Sequence, residues 1–503
     1  MSSSIDTVPA TPIPARKGLG KVRSTTSASH PRASIALVFA CGTALFSDGY
    51  INGVVGSVNT ILKRLYPEET SQNNYSTLFS SMAFAGTVIG MLGWGYLVDR
   101  FGRKSGMMSA STIIVVFTAL SAGAYGAGGS TKGLLQALIA YRFLAGIGIG
   151  AEYPAGSVAC SENTEEPGIR KRWQHMLFML ATNCTIDIGF VVAAFVPLVL
   201  IWICTEDHLR LVWRLSFGLG VIPAACVLLW RLRMFEEPTR YQTSSIRKNV
   251  PYWLIFKRYW RSFLGLSLAW FIYDFIVYPF GLFSSTIVDT ITGGSTALTT
   301  VFAWNVVINA FYIPGCLGGA LIVGYLGPKK QMIIFLCLQG ITGFFMSGFY
   351  VQLTNHVAGF AVVYGLFLSF GEAGPGDCLG LLASKSWPTA VRGQMYGIAA
   401  AIGKIGAFVG TWSFPAIIDD FPVGPKQTSG PFWIGSGLAF LSAIIIFVLV
   451  PEVKADHMAN EDAAFKEYLV ANGYDISQMG LGVESVDTLE KETSFDEKGS
   501  PLV

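Results

Sequence analysis

Trp270-Phe-Ile-Tyr-Asp274-Phe-Ile-Val-Tyr278 sits inside a long apolar run, 262–289, and the reading of that run decides the fold. About 20 predominantly apolar residues suffice to cross a bilayer as a helix, so the run predicts a membrane span. One aspartate interrupts it. Residues four apart on a helix share a face, drifting by about 40° per step, so Trp270, Asp274 and Tyr278 form one polar-aromatic stripe. An ionised aspartate near the bilayer centre costs roughly 2.5–3.5 kcal/mol on insertion scales and normally faces a partner or a water-filled cavity. Asp274 is therefore either a structural carboxylate tied to a neighbouring helix or part of a substrate or proton site.

Working outward, the composition agrees with a membrane protein. Of 503 residues, 52% are hydrophobic and only 13% charged, about half the charged fraction usual in water-soluble chains. A net charge of +3 gives no reason to expect a nucleic-acid partner, and no polar segment is long enough for a separate catalytic domain. The eight cysteines are scattered, with no Cys-x-x-Cys pair, so neither a metal site nor a disulfide framework is read. No cofactor is expected, and no nucleophile–base arrangement points to an enzyme; the five histidines fall in the tails or at predicted span ends. Residues 1–33 are Ser-, Thr- and Pro-rich and basic, and they lack the apolar core and cleavage site of a signal peptide. They read as a disordered cytosolic tail.

Twelve spans are predicted, at 34–56, 76–98, 106–127, 134–157, 174–203, 211–232, 262–289, 299–326, 331–353, 357–383, 391–418 and 431–451. The expected fold is an all-α membrane protein, with a six-helix bundle at 34–232 and a second at 262–451. Arg100, Arg103, Lys104, Arg170, Lys171, Arg172, Lys329, Lys330, Lys385 and Arg392 crowd the loops on the side of the termini. The positive-inside rule then places both termini in the cytosol. Residues 233–261 form a basic linker with Trp253 and Trp260, suited to an anionic leaflet, and 452–503 reads as a mostly disordered cytosolic tail.

The two halves echo each other. A shift of 226 carries Asp48 onto Asp274 and Arg103 onto Lys329, and a shift of 223 carries Tyr141 onto Tyr364 and Gly148 onto Gly371. Duplicated, pseudo-symmetric halves are the plan of many secondary transporters, whose cargo sits near mid-membrane between them.

Three stretches carry more specific information. Gly95-Tyr-Leu-Val-Asp99-Arg100-Phe-Gly102-Arg103-Lys104 closely resembles the signature loop of the major facilitator superfamily, which implies a conformational latch on Asp99, Arg100, Arg103 and Lys104. Arg142 is grouped with that latch. The matching loop of the second half has Tyr325 where the acid would stand, so a weaker latch is expected there. Gly146-Ile-Gly148-Ile-Gly150-Ala-Glu152-Tyr153-Pro154 follows no strand, which removes a dinucleotide reading and leaves close helix packing. Arg142 and Glu152 stand nearly three turns apart, too far to pair directly.

Together with the opening stripe and Gly403-Lys404-Ile-Gly406, these features resemble the phosphate:proton symporter family. Tyr273-Asp274-Phe, Phe283-Ser-Ser-Thr-Ile287, Gly374-Pro-Gly-Asp377 and Thr389-Ala-Val-Arg-Gly393 resemble, within it, the fungal glycerophosphodiester branch, the glycerophosphoinositol permeases. The resemblance covers roughly residues 35–475. It implies substrate contacts at Tyr153, Asn183, Trp270, Asp274, Tyr278 and Lys404 and a proton-pathway place for Asp48. Asp274 is also read as coupling proton to anion, Asp377 as a further substrate contact, and Glu152 as either a coupling or a structural carboxylate. Asn183 stands where phosphate carriers usually have Gln, Ile51 where they have a second acid, and Asp377 where they tend to have Asn. These departures favour a larger cargo than inorganic phosphate.

The residues support that reading independently. Lys404 is the lone lysine inside its span, and one buried ammonium compensates one phosphodiester charge. The competing reading makes it a structural partner for Asp274 alone. A role for Asp187, also intramembrane, is not readable from sequence. The expectation is a monomeric fungal plasma-membrane protein in contact with membrane lipid. It would import glycerophosphodiesters with protons as coupling ion, glycerophosphoinositol preferred over glycerophosphocholine. Its rivals are an inorganic phosphate:proton symporter and a nutrient sensor that binds the same ligands without transporting them.

Overall fold

Among the described residues, twelve helices are long and apolar enough to span a bilayer, as the spacing of apolar runs predicts. The computed structural model describes residues 31–71, 74–166, 168–234, 238–246, 249–291, 297–476 and 479. Residues 1–30 of the expected 1–33 tail, the acidic end from 480 onward and Phe235, Glu236 and Glu237 lie outside the described residues. The first half comprises α1 (Ser34–Leu65), α2 (Tyr75–Phe101), α3 (Arg103–Ala122), α4 (Thr131–Thr164), α5 (Lys171–Cys204) and α6 (Glu206–Arg233). The second comprises α7 (Tyr252–Ser285), α8 (Leu298–Leu326), α9 (Pro328–Gly348), α10 (Val357–Lys385), α11 (Thr389–Asp420) and α12 (Lys426–Leu449). Across the divide, α2 packs along α11, α5 along α8, and α1 along α7.

Small residues set these distances. A Cβ on Gly150 would collide with the Thr87 backbone, so α2 and α4 approach to backbone contact. Gly102 (φ 105) and Gly327 (φ 75) begin the corresponding turns into α3 and α9, in a region of backbone space that a Cβ disfavours. The duplication extends deeper than the sequence offsets suggest. Both α4 and α10 widen into one π-helical turn around a proline, Tyr153–Ser157 holding Pro154 and Glu372–Gly376 holding Pro375. Such turns displace the helix face locally and occur often at functional sites.

Two boundaries differ from expectation. Helix α7 starts at Tyr252, so the last ten residues assigned to the linker are already helical. On that first stretch Trp253 is 73% exposed, while Ile255 and Tyr259 are buried. The tail expected to be disordered contains helix α13, His457–Ala471. Met458, Phe465 and Leu469 bury one side of it, a spacing of one helical face. Charged neighbours mask that apolar stripe in the sequence. α13 lies on the linker face of the bundle, where Asp462 accepts from Thr389 N and Oγ1, each at 2.7 Å, and Glu461 accepts from Tyr259 at 2.5 Å.

Candidate functional site: a central cavity between the halves

The stripe on α7 faces the axis between the halves. Trp270, Asp274 and Tyr278 line one central cavity with Tyr153, Asn183, Asp377 and Lys404, so all seven residues expected at the substrate site meet there. Lys404 on α11 is buried; its ammonium lies 3.4 Å from Asp274 Oδ2 and contacts the Tyr278 hydroxyl. It also sits 5.2 Å from the Tyr153 ring centroid. Gly403 makes this approach possible, since a Cβ there would fall 2.5 Å from Trp270 Cδ1.

Asp48 stands one layer behind. Tyr153 donates to its Oδ2 at 2.5 Å, and Asn52 donates to its Oδ1 at 2.6 Å. The two aspartates related by the internal repeat are thus joined through aromatic hydroxyls and the Lys404 ammonium. Because Tyr153 is occupied by Asp48, phosphate contact through its hydroxyl requires that bond to be shared or broken.

The opposite wall is acidic. Asn183 Nδ2 lies 3.1 Å from Glu372 Oε2, 3.1 Å from Asp377 Oδ1 and 3.4 Å from Asp187 Oδ2. Tyr273 donates to Glu372 Oε1 at 2.9 Å. An amide nitrogen carries two hydrogens, so it cannot satisfy three carboxylates at once. This wall therefore favours bound protons or a cargo that brings hydrogen-bond donors. Asp187 thereby acquires a place. Tyr273, of the Tyr273-Asp274-Phe motif, enters the site as well, and so does Glu372, which no motif marks; Glu372 begins the second π-helical turn, as Tyr153 begins the first.

Not every expected residue joins. Glu152 is held by Arg231 at 2.7 Å and by Ser111 at 2.9 Å, and it does not line the cavity. The structure places it in a buried pair within the first half, outside the cavity. Arg142 does not join the latch either: it donates to Phe79 O, Ile51 O and Asn52 Oδ1, all in its own half. Arg142 and Glu152 do not pair, as their spacing indicates.

The latch itself forms around Asp99. Its carboxylate accepts from Arg103 at 2.6 Å and, across the divide, from Gly393 N at 3.0 Å and Gln394 N at 2.8 Å at the start of α11. A carboxylate at a helix start meets free N–H groups and the positive end of the helix dipole. Glu162 bridges Arg103 and Arg392, both at 3.0 Å, adding a second crossing. Lys385 reaches Glu165 at 2.8 Å to make a third. Arg100 contacts Tyr96 on its own helix at 2.5 Å, and Lys104 is exposed. In the second-half loop, Tyr325 accepts one bond from Arg172 at 2.6 Å, a sparser crossing than that of Asp99.

The opposite face is closed by Thr60 against Ser285 at 3.3 Å and by Arg64 with Asp289 at 3.7 Å. With the halves in contact on both faces, the central cavity measures about 70 Å³. That is room for a few waters. Admitting a larger cargo requires the halves to part.

Comparison with known proteins agrees with this architecture. Residues 37–411 match the family model for the Major Facilitator Superfamily. The chain is 44% identical over 471 residues to the Major glycerophosphoinositol permease GIT3 of Candida albicans, covering 92% of this chain and 86% of that protein. It is 46% identical over 448 residues to the Glycerophosphocholine permease GIT4 of the same organism, covering 88% and 83%. Among solved structures, the proton:xylose symporter XylE bound to 6-bromo-6-deoxy-D-glucose superposes with a TM-score of 0.73 at 19% identity, over 87% of this chain and 99% of that one.

Proposed function

This chain belongs to the major facilitator superfamily, and we propose that it imports glycerophosphodiesters across the fungal plasma membrane by proton-coupled alternating access. The observation that carries the reading is the division of one cavity into two poles. Lys404, with Tyr278 and Trp270, offers one cation and hydroxyl and indole donors, the set that a singly charged phosphodiester needs. Asn183, Asp187, Glu372 and Asp377 form a wall that accepts donors, which suits headgroup hydroxyls or an ammonium and disfavours inorganic phosphate. The names of the two Candida relatives, one a glycerophosphoinositol and the other a glycerophosphocholine permease, support the same cargo class.

In the proposed cycle, a proton loads Asp274 in the outward-facing state and loosens its hold on Lys404. The phosphodiester then takes up the ammonium, and the halves rock about the bound cargo. Opening of the Asp99 and Glu162 crossings exposes the site to the cytosol. Loss of the proton lets Asp274 re-pair with Lys404 and expel the cargo. Asp48, bonded to Tyr153, couples the first half to the same event. The linker face is cytosolic in this scheme, as the basic loops imply, and a monomer in lipid suffices, with protons as the only accessory species.

Uptake of labelled glycerophosphoinositol, glycerophosphocholine and inorganic phosphate at acidic pH, in cells lacking their own carriers, tests the proposal. Saturable uptake of either phosphodiester is expected. Uptake of phosphate alone would overturn the cargo, and binding without uptake would make the protein a sensor.

A further inference from the structure

A second chamber opens on the face away from the linker. It lies between the halves and measures about 330 Å³, within the range typical of small-molecule sites. Its walls include Phe283 on α7, Tyr350, Phe414 on α11, and Asp419 and Gln427 near the ends of α11 and α12. The first half contributes Lys63, near the end of α1. Phe283 and Phe414 stack with ring centroids 5.3 Å apart, giving the chamber a flat apolar floor. Phe283 stands two residues beyond Gly281, which lines the central cavity, on the same helix, so the floor lies only about 3 Å of helix rise from that level.

Lys63 is the unusual member. One turn before it, Thr60 touches Ser285 of the other half, so this face of α1 looks across the divide. Its neighbour Arg64 pairs with Asp289 and lies near Glu206. Among the described residues no hydrogen bond or salt bridge within 4 Å is found for Lys63; Asp289, which Arg64 already engages, is the carboxylate that attracts it from a distance. A partly buried ammonium beside stacked phenyl rings is poorly solvated and attracts an anion more strongly than a surface lysine does. Asp419 and Gln427 supply acceptors, and Gln427 a donor, for a polar group on the same molecule. One pole for an anion and one for a hydroxyl-bearing or cationic group repeat, in looser form, the chemistry of the central cavity.

We infer that this chamber is an outer binding station for the phosphodiester, with Lys63 holding the phosphate before the cargo passes inward to Lys404. The inference rests on the transport reading above and adds a site to it. An outer station of this kind acts on capture: it raises the occupancy of the path from dilute medium and leaves the rocking step alone.

Concentration-dependent uptake of glycerophosphoinositol and glycerophosphocholine by the full-length protein, normalised to surface amount, tests it. Lys63→Gln is expected to raise KM about tenfold or more, as loss of a charge-assisted hydrogen bond does, with the maximal rate kept within about twofold. Lys63→Arg restores the KM. An unchanged KM in Lys63→Gln, or a lower maximal rate at unchanged KM, overturns the station while leaving transport through the central cavity intact. A raised KM that arginine does not relieve assigns Lys63 to packing and overturns it as well. Absence of phosphodiester uptake by the unaltered protein fells the transport reading itself, and the station with it.

Discussion

Lys404 on α11 binds two members of the α7 stripe at once, lying 3.4 Å from the Asp274 carboxylate and against the Tyr278 hydroxyl. One ammonium therefore holds the site together when empty and is the charge that an arriving anion must win. The same contact that makes Asp274 tolerable in the membrane makes it sensitive to cargo.

Lys404→Gln removes the only cation lining that cavity among the described residues. Phosphodiester affinity is expected to fall by at least about tenfold, since a hydrogen bond to a charged group contributes roughly 1.5–3 kcal/mol. Initial uptake rates against concentration measure it. Intact affinity would show that the lysine does no more than neutralise Asp274.

Glu372→Gln tests the acidic wall. The amide brings a donor of its own to the shared Asn183, so headgroup recognition is expected to suffer while the Lys404 pole stays intact. Competition between glycerophosphoinositol, glycerophosphocholine and glycerol phosphate reads this as a changed order of preference. An unchanged order would remove Glu372 from headgroup contact.

Glu162→Ala leaves two buried guanidinium groups, Arg103 and Arg392, short of a carboxylate. Breaking buried pairs in this way costs about 3–5 kcal/mol. A clear drop in the thermal midpoint of the purified protein is expected. Arg100→Gln, altering an exposed side chain whose hydrogen bond among the described residues is to Tyr96 of its own helix, is expected to leave the midpoint unchanged.

Asp456, beyond the last span, ties α13 to α5. Burial would raise its pKa, but bonds from Lys171 at 2.5 Å and Gln174 at 2.7 Å outweigh that and hold it below the ordinary value of 3.8. A carboxylate depressed on folding stabilises above its unfolded pKa and loses that contribution as pH falls through the folded value. Asp456→Asn is therefore expected to narrow its stability difference from the unaltered protein as pH drops below about 4. Thermal unfolding across that range measures the difference. A difference that persists at the lowest pH would show that the carboxylate charge is not what holds α13.

Much of this was legible before any coordinates. Apolar runs of span length leave little freedom of fold, and an aspartate within one must find a partner, which is why the Asp274–Lys404 pairing could be anticipated. Asn183 and Asp377 are 194 positions apart, but each departs from a family pattern, which marks both. Glu372 was less visible. It sits beside glycines and a proline, and only the π-helical turn it shares by symmetry with Tyr153 turns it toward the cavity. Charge within a span signals importance without saying for what: the partners of Arg142 and Glu152, backbone carbonyls and Arg231, lie far off in sequence. Helix α13 stayed hidden because three apolar residues among many charges bury a face only when a protein surface is already there to receive them.

Accumulation of labelled glycerophosphodiester into proteoliposomes under an imposed proton gradient tests the central claim most directly, with the unaltered protein beside Asp274→Asn. The account predicts uptake above equilibrium that a protonophore abolishes, and exchange without accumulation in Asp274→Asn. Accumulation by the variant equal to that of the unaltered protein, or accumulation indifferent to the gradient, would contradict it.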